Sequence, residues 1–245
     1  MQIRSSIATR TIVDQVTDAL RTSIVTQSLP IGARLSDVEL ASRFGVSRNS
    51  MRDAIRSLVN EGLVTSIANR GYFVADLDTA CALELLQLRG VLEGLAAASA
   101  VEELSDADFA RLEVISAEIE GLDYRRDIQR VRELDLEFHE IVVSRSDRLL
   151  LHELWSSLNS RLHLLDVICA EVLNVSSAES ASRHRRYTDA LRSGDPVRAE
   201  RAAIDHYNQH RDRVLEQSHS FGGDRSTQLS DWSRRCAKSA ERTAS

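Results

Sequence analysis

Strand-like sequence is confined to one short hairpin, and helical periodicity covers almost all the rest of the 245-residue chain. The two β-rich runs, 63–68 and 72–77, flank an Asn-Gly-type turn at 69–71. From Leu77 onward, apolar residues recur at helical spacing only. Because the chain contains only 10 Gly and 2 Pro, few residues interrupt long helices. The pattern therefore predicts a mainly α-helical fold with one small hairpin near the N-terminus.

The helices fall into two groups on either side of Asp76. Apolar spacing, N-cap residues and Gly stops predict helices at 11–27, 37–44, 48–61, 78–103, 106–120, 127–145, 147–173, 179–193 and 196–217. The small, polar segment 176–182 is expected to be a loop or a frayed helix start. We therefore predict an N-terminal domain over 1–76, an all-helical bundle of six to seven helices over 77–217, and a disordered tail over 218–245.

The charge is unevenly distributed along the chain. The net charge of -6 argues by itself against a nucleic-acid partner. Residues 1–76, however, carry nine Arg and seven acidic residues, so that this part alone has an excess of two positive charges. The segregation of cationic from acidic surface is expected if only the N-terminal domain meets phosphates.

The cellular compartment is indicated by what the chain lacks. Its three cysteines are widely spaced and form neither a CxxC pair nor a disulfide framework. The first 20 residues are polar, and no apolar run approaches the ~20 residues of a membrane span. These features predict a cytoplasmic protein with no membrane partner.

A DNA-reading arrangement is indicated at residues 32–74, where two short helices joined by a Gly45-Val46 turn precede the hairpin. A recognition helix must present polar and basic groups at its N-terminal end while its far side packs in the core. The second helix does so, with Met51, Ile55 and Leu58 on the far side. The candidate DNA contacts of the domain are Arg34, Arg43, Ser47, Arg48, Asn49, Ser50, Arg52, Arg70 and Gly71.

Each basic residue has an expected role on DNA. Arg48 is best placed to read a base edge, ideally guanine, and Asn49 to read adenine or bind a phosphate. Arg43 and Arg52 are expected to clamp phosphates, which orient the protein without reading sequence. Arg70, at the hairpin tip, can reach the minor groove or the backbone. The alternative is a solvated amphipathic helix beside an ordinary hairpin.

Residues 11–76 resemble the winged helix-turn-helix of the GntR family of bacterial regulators. The matching stretches are GARL at 32–35, ELA at 39–41, GVSR at 45–48, RDAI at 52–55, EGLV at 61–64 and NRG at 69–71. The resemblance implies a homodimer that binds palindromic double-stranded DNA. Val38 stands where some members carry Arg, and Asn49-Ser50 replaces a common Thr-Pro, so base preference does not transfer.

The helical part contains a second candidate constellation. Asp135 and His139 lie at i and i+4 on one helix face, while His184 and His206 lie on two later helices. One carboxylate and three imidazoles suit Zn²⁺, Ni²⁺, Co²⁺ or Mn²⁺ and leave positions open for water or a ligand. Spacing alone does not bring these residues together. Asp135 and His139 by themselves are equally an ordinary surface pair, and the other histidines, His210 among them, are expected to be unremarkable.

Residues 78–217 resemble the FCD domain, the ligand domain of FadR-type GntR proteins. The matching runs are LRGVLE at 88–93, AAA at 96–98, DLEFH at 135–139, His184 with AL at 190–191, GD at 194–195 and AAIDH at 202–206. The resemblance implies that Asp135, His139, His184 and His206 bind a metal, most simply Zn²⁺, with Ni²⁺ or Mn²⁺ as alternatives. Arg183 stands where Glu is common.

The same resemblance implies a small organic acid as effector. Arg89 is the candidate clamp for its carboxylate, and Arg161 is a weaker one; Arg89 is equally a candidate for a helix-surface or dimer residue. The chain is thus expected to be a transcription regulator and no enzyme. The alternatives are a regulator for which the metal itself is the signal, a purely structural metal, and a metalloenzyme fused to a DNA-binding module.

Overall fold

A computed structural model describes residues 10–124, 126–172 and 176–218. The chain divides into two compact units, with the boundary after Asp76. The tail expected over 218–245 lies outside the described residues, except for Ser218, which ends the last helix. Among the described helices, none combines the length and the apolar character of a membrane span.

The first unit is a small helical domain with a three-stranded antiparallel sheet. Its elements are α1 (Ile12–Val25), β1 (Arg34–Leu35), α2 (Asp37–Phe44), α3 (Arg48–Asn60), β2 (Val64–Ile67) and β3 (Gly71–Val74). The strand order is β1-β3-β2. The expected hairpin is β2 and β3, with Thr65 opposite Phe73. The sequence analysis missed β1, because a two-residue strand has no alternating pattern of its own and forms only by pairing with β3.

Local signals define the helices of this unit. Ser36 and Ser47 accept hydrogen bonds from the backbone N–H groups of Glu39 and Ser50, which makes them the N-caps of α2 and α3. Between these helices Gly45 adopts a left-handed conformation with φ of 66°. A residue with a Cβ is strained there, so the glycine permits the tight turn of the helix-turn-helix. The helices then pack through a buried apolar core of Leu20, Ile24, Met51, Ala54, Ile55, Leu58 and Leu63.

The second unit is entirely helical in the described residues. Its helices are α4 (Thr79–Ala100), α5 (Asp106–Glu120), α6 (Ile128–Arg145), α7 (Leu149–Ser157), α8 (Asn159–Val172), α9 (Ser177–Arg192) and α10 (Pro196–Ser218). The mainly helical fold expected from the sequence is confirmed, since the sheet of the first unit is the only one among the described residues.

One expected helix, 147–173, is in fact two, and the break lies at Leu158. No Gly or Pro marks this position in the sequence. The carbonyl of Trp155, which would accept from the N–H of residue 159 in a continuous helix, accepts from the N–H of Leu158 at 3.2 Å and from Arg89 Nη1 at 2.8 Å. The Asn159 side chain accepts from the same nitrogen at 2.6 Å. A long-range contact therefore ends α7.

The segment 176–182 is a helix start and not a loop. The Ser176 hydroxyl accepts from the N–H of Glu179, and α9 runs on from Ser177. A short polar run before a helix is read correctly only if its first serine is recognised as the N-cap. The expected stop and restart at 194–196 is confirmed, with Gly194 at φ of 70° and the Asp195 carboxylate accepting from the N–H of Val197 at 2.9 Å.

Helices α4 and α10 pack closely along their length because two glycines lie between them. A Cβ added at Gly94 would lie 3.2 Å from Glu200 Cγ and from Ile204 Cγ1, and 3.3 Å from the Glu200 carbonyl oxygen. A Cβ at Gly90 would have its nearest neighbour, Tyr207 Cβ, at 3.4 Å, an ordinary contact. The two positions are one helical turn apart, so they form a matched pair.

We expect Gly94→Ala to destabilise the protein relative to Gly90→Ala. Each substitution gains about 1 kcal/mol of helix propensity. At Gly94 this gain is offset by overpacking that costs about 1–3 kcal/mol, since a backbone carbonyl cannot move away cheaply. Thermal or urea unfolding of both variants measures the difference. A Gly94→Ala variant as stable as Gly90→Ala would contradict the close packing of α4 on α10.

Candidate functional site

The candidate DNA contacts lie on the surface of the first unit. Arg43, Ser47, Arg48 and Asn49 are exposed at the end of α2 and the start of α3, and Arg70 is exposed at the hairpin tip. Ser50 and Arg52 are half-buried. Arg34 is exposed on β1, and its Nε would lie 3.9 Å from a Cβ placed at Gly71, so these two residues are neighbours. Polar and basic groups therefore cluster where the pattern of a recognition helix requires them.

Asp37, the first residue of α2, organises this surface. Arg52 Nη2 donates to Asp37 Oδ2 at 2.8 Å, and Arg48 Nη2 lies 3.7 Å from the same oxygen. The hydrogen bond from Arg52 holds the pKa of Asp37 below its usual value. Arg52 thus links α3 to the start of α2, while the Arg48 side chain is 60% exposed and remains available for a base edge.

The second unit brings Asp135, His139, His184 and His206 together. Asp135 and His139 come from α6, His184 from α9 and His206 from α10, and one ligand atom of each lies within 4.8 Å of the others. The three imidazoles are buried, and the Asp135 side chain is 31% exposed. The fold therefore unites residues that spacing alone left apart.

The hydrogen bonds of two imidazoles direct their second nitrogens into this cluster. His139 Nδ1 bonds to the Glu93 carboxylate, and His184 Nδ1 donates to the Ser180 carbonyl at 2.9 Å. Both Nε2 atoms then carry a lone pair, as a metal ligand requires. His139 Nε2, His184 Nε2 and His206 Nδ1 are buried without a hydrogen-bond partner, although His184 Nε2 lies 3.1 Å from Asp135 Oδ1. Unsatisfied buried nitrogens are costly. The donor set fits a bound cation.

The electrostatics of the cluster agree with this fit. Burial works to raise the pKa of Asp135, but His139, His184 and His206 outweigh burial, so the pKa is lowered and the carboxylate is ionised. Burial lowers the pKa of His184 and of His206, which keeps both imidazoles neutral. Burial works to lower the pKa of His139, but Glu93 and Asp135 outweigh burial and the pKa is raised, so this ring must release a proton when a metal binds. The Asp135 anion and the other two neutral imidazoles are already in the protonation states that bind metal.

Glu93 supports the cluster from behind, a role the sequence analysis missed. Its carboxylate is fully buried on α4 and accepts from His139 Nδ1, from Trp155 Nε1 at 3.2 Å and from Tyr207 OH at 2.8 Å. The signal was present, because helical spacing places Glu93 on the buried face of α4, four residues after Arg89. A charged residue on a buried helix face must have a partner.

Two small adjoining cavities lie beside the cluster, of about 20 and 30 Å³. Both are lined by Arg132, Asp135, Leu162 and Asp166. The first also meets Tyr124, Arg183, His206 and His210, so His210 belongs to the site, contrary to its expected unremarkable role. Burial raises the pKa of Asp166 to about 7, against the lowering effect of Arg132.

The two candidate effector contacts differ in position. Arg89 is buried, lines the second cavity beside Asn159, and stacks over the Trp155 ring at 3.8 Å. It is therefore neither on the helix surface nor exposed for pairing in the described part of the chain. Arg161 is half-buried on α8 and is not among the residues described as lining either cavity.

The comparisons with known proteins agree on both units. Residues 12–74 match the family described as bacterial regulatory proteins, gntR family, and residues 84–209 match the FCD domain. A probable D-xylose utilization operon transcriptional repressor from Paenarthrobacter nicotinovorans is 29% identical over 216 residues, which are 87% of this chain and 92% of that protein. The galactonate operon transcriptional repressor of Escherichia coli (strain K12) is 25% identical, over 69% of this chain and 81% of its own length.

A solved structure shares the fold. The structure of E. coli McbR/YncC superposes with a TM-score of 0.69 and 21% sequence identity, over 85% of this chain and 99% of that one. At this identity the likeness concerns the arrangement of the helices and the small sheet, and it says nothing of ligands.

Proposed function

Because the chain belongs to the GntR family of bacterial regulatory proteins and carries an FCD domain, we propose that a small carboxylate, bound at a metal site in the helical unit, controls its binding to an operator. The family makes it a transcription regulator and not an enzyme. The observation that carries the proposal is the cluster of three buried ring nitrogens without hydrogen-bond partners beside an ionised Asp135.

The DNA-binding part of the proposal rests on the start of α3. Arg48 reads a base edge, Asn49 reads a base or binds a phosphate, and the exposed Arg43 and Arg70 contact the backbone or the minor groove. Arg52 holds α3 against Asp37 and contacts a phosphate only if that pairing opens. Two copies placed side by side in the cytoplasm would address a palindromic operator.

Pairing of two copies is supported by apolar side chains on the surface of the second unit. Leu88, Val91 and Leu95 recur on α4 with between 41% and 47% of their surface exposed. Leu149, Leu150 and Leu154 on α7 are exposed by 51% or more. Exposed apolar surface of this kind is typical of an interface with another protein chain, and we propose a homodimer.

The metal part of the proposal assigns Asp135, His139, His184 and His206 as ligands. Their oxygen and nitrogen atoms favour Zn²⁺, and Ni²⁺ or Mn²⁺ would suit the same set. A bound divalent ion would supply positive charge and open positions for an oxygen ligand. Glu93 would hold the ring of His139 in place, since its carboxylate accepts from the opposite nitrogen.

The effector part of the proposal places a carboxylate between the metal ligands and Arg89. Arg89 and Asp135 line the same cavity, and Arg89 Nε is buried without a hydrogen-bond partner. Arg161 would reach the ligand only after movement of α8. The galactonate operon repressor is a relative whose printed name contains a sugar acid, which favours organic acids for this chain.

A second candidate function is a regulator for which the ion itself is the signal. It is favoured by one observation: four protein side chains from three helices provide ligand atoms within 4.8 Å of one another. The two candidates differ in a simple respect. Operator affinity would follow the free metal concentration in a metal sensor, and would require an organic acid in the effector-controlled regulator.

We expect Arg48→Ala to weaken binding to the selected operator by about 1–3 kcal/mol and to relax the preference at one base pair. The operator is first selected from random-sequence DNA by the protein itself, and both affinities are then measured by fluorescence anisotropy at fixed salt. Arg56→Ala is the matched control, because Arg56 is exposed two turns further along α3 and pairs with Asp53. Equal losses on operator and random DNA would show that Arg48 reads no base.

We expect Asp135→Asn to abolish tight Zn²⁺ binding, because it removes the anionic ligand. Glu93→Gln should weaken Zn²⁺ binding by about 10–100-fold by releasing His139. Titration of chelator-treated protein with Zn²⁺, followed by calorimetry, measures both effects. Glu84→Gln, on the exposed face of the same helix as Glu93, serves as control. The same Zn²⁺ affinity in all three variants and the parent chain would rule out this metal site.

A further inference from the structure

Arg132 is a buried cation without a hydrogen-bond partner. Its side chain is only 3% exposed, and all three guanidinium nitrogens are buried with no hydrogen bond. The one carboxylate at ion-pair distance is that of Asp166, with its Oδ2 3.8 Å from Arg132 Nε. A buried guanidinium that makes no hydrogen bond is costly and is expected to have a partner. The proposed metal and Arg89 are themselves cations and cannot neutralise it.

Arg183 presents a second cation to the same cavity. It precedes His184 on α9, is buried, and has its Nε without a hydrogen-bond partner. Arg132 is one turn before Asp135 on α6. Each arginine thus lies within one helical turn of a metal ligand, and the two come from different helices to line one space beside the cluster.

Without a metal, the charges of this cavity balance only when Asp166 is ionised. Two guanidinium groups face the carboxylates of Asp135 and Asp166, and burial raises the pKa of Asp166 to about 7. A divalent ion on the cluster would add two positive charges to this buried site. An effector with one negative charge would leave an excess cation in the protein interior, whereas an effector with two would neutralise the site.

We propose that Arg132 and Arg183 form a second anion subsite, and that the effector is accordingly a small molecule with two acidic groups. This rests on the proposed function, in which the first acidic group lies between the metal ligands and Arg89. The second group is a carboxylate or a phosphate, since both accept paired hydrogen bonds from a guanidinium. The subsite sets specificity, because a monoacid would leave Arg132 unpartnered.

The spacing of the residues limits the length of the effector. Positions three residues apart on a helix are about 5–6 Å apart at Cβ, so a short diacid spans the space between Arg132 and the metal ligand Asp135. Arg132 and Asp166 line both cavities, and neither cavity holds more than a few water-sized groups. A diacid must therefore displace Arg132 from Asp166 and take the place of that carboxylate.

The test compares diacids with monoacids on the full-length, Zn²⁺-loaded protein. Thermal unfolding is followed against concentration of malonate, succinate and glutarate, of acetate, propionate and butyrate, and of phosphoglycolate as the phosphate-bearing probe. We expect at least one of the diacids, or phosphoglycolate, to raise the unfolding temperature at a concentration ten-fold or more below the concentration that any monoacid requires. If a dicarboxylate is the more effective, the second group of the effector is a carboxylate. If phosphoglycolate is the more effective, that group is a phosphate.

Two variants with opposite expected signs separate a subsite from a general effect on folding. Arg132→Gln should remove the advantage of the diacid and leave the response to monoacids and to Zn²⁺ unchanged. Asp166→Asn removes the carboxylate that competes for Arg132. It should lower, by several-fold, the diacid concentration that is needed to stabilise the protein. Arg183→Gln should act in the same direction as Arg132→Gln.

The outcomes distinguish this inference from the proposed function. Monoacids as effective as diacids, with Arg132→Gln and Asp166→Asn both without effect, would overturn the second subsite and leave a carboxylate-controlled regulator intact. A stabilising response to Zn²⁺ with none to any acid would overturn both and favour the metal sensor. A diacid preference that survives Arg132→Gln and Arg183→Gln would also overturn the subsite, since another group would then provide it.

Discussion

The arrangement of the second unit depends on one buried carboxylate. Glu93 on α4 accepts hydrogen bonds from α6 through His139, from α7 through Trp155 and from α10 through Tyr207. An ionised group inside a protein is tolerated only when its lone pairs are satisfied, so these three helices must approach α4 at defined positions. Burial works to raise the pKa of Glu93, but His139 and Arg89 outweigh burial, and the group remains an anion. The position of His139 in the cluster with Asp135, His184 and His206 therefore depends on this network.

A second buried charge on the same helix shapes the chain elsewhere. Arg89 takes the carbonyl of Trp155 as an acceptor, and α7 ends there. Asn159, which begins α8 after this break, accepts from the same guanidinium and lines the second cavity with Arg132 and Asp166. Stacking on Trp155 adds to the hold on Arg89. The end of α7 and part of the wall of the second cavity thus both depend on Arg89.

What the sequence predicted well is local in origin. The bounds of α2 and α3, the turn at Gly45 and the apolar stripe of α3 each depend on residues within a few positions of one another. What it missed depends on distant contacts: the pairing of β1, the break at Leu158, and the roles of Glu93 and Arg132. The four cluster residues were identified only through resemblance, because no spacing rule places three helices around one point.

The two cavities would have to widen to admit the diacid proposed above. A ligand that has equal affinity for all states of a protein shifts none of them. A diacid that must part Arg132 from Asp166 instead favours one arrangement of α6 against α8, and a difference of about 1–3 kcal/mol is enough for control. Since His139 and Glu93 hold α6 to α4, such a movement of α6 would also act on α4, which begins at Thr79.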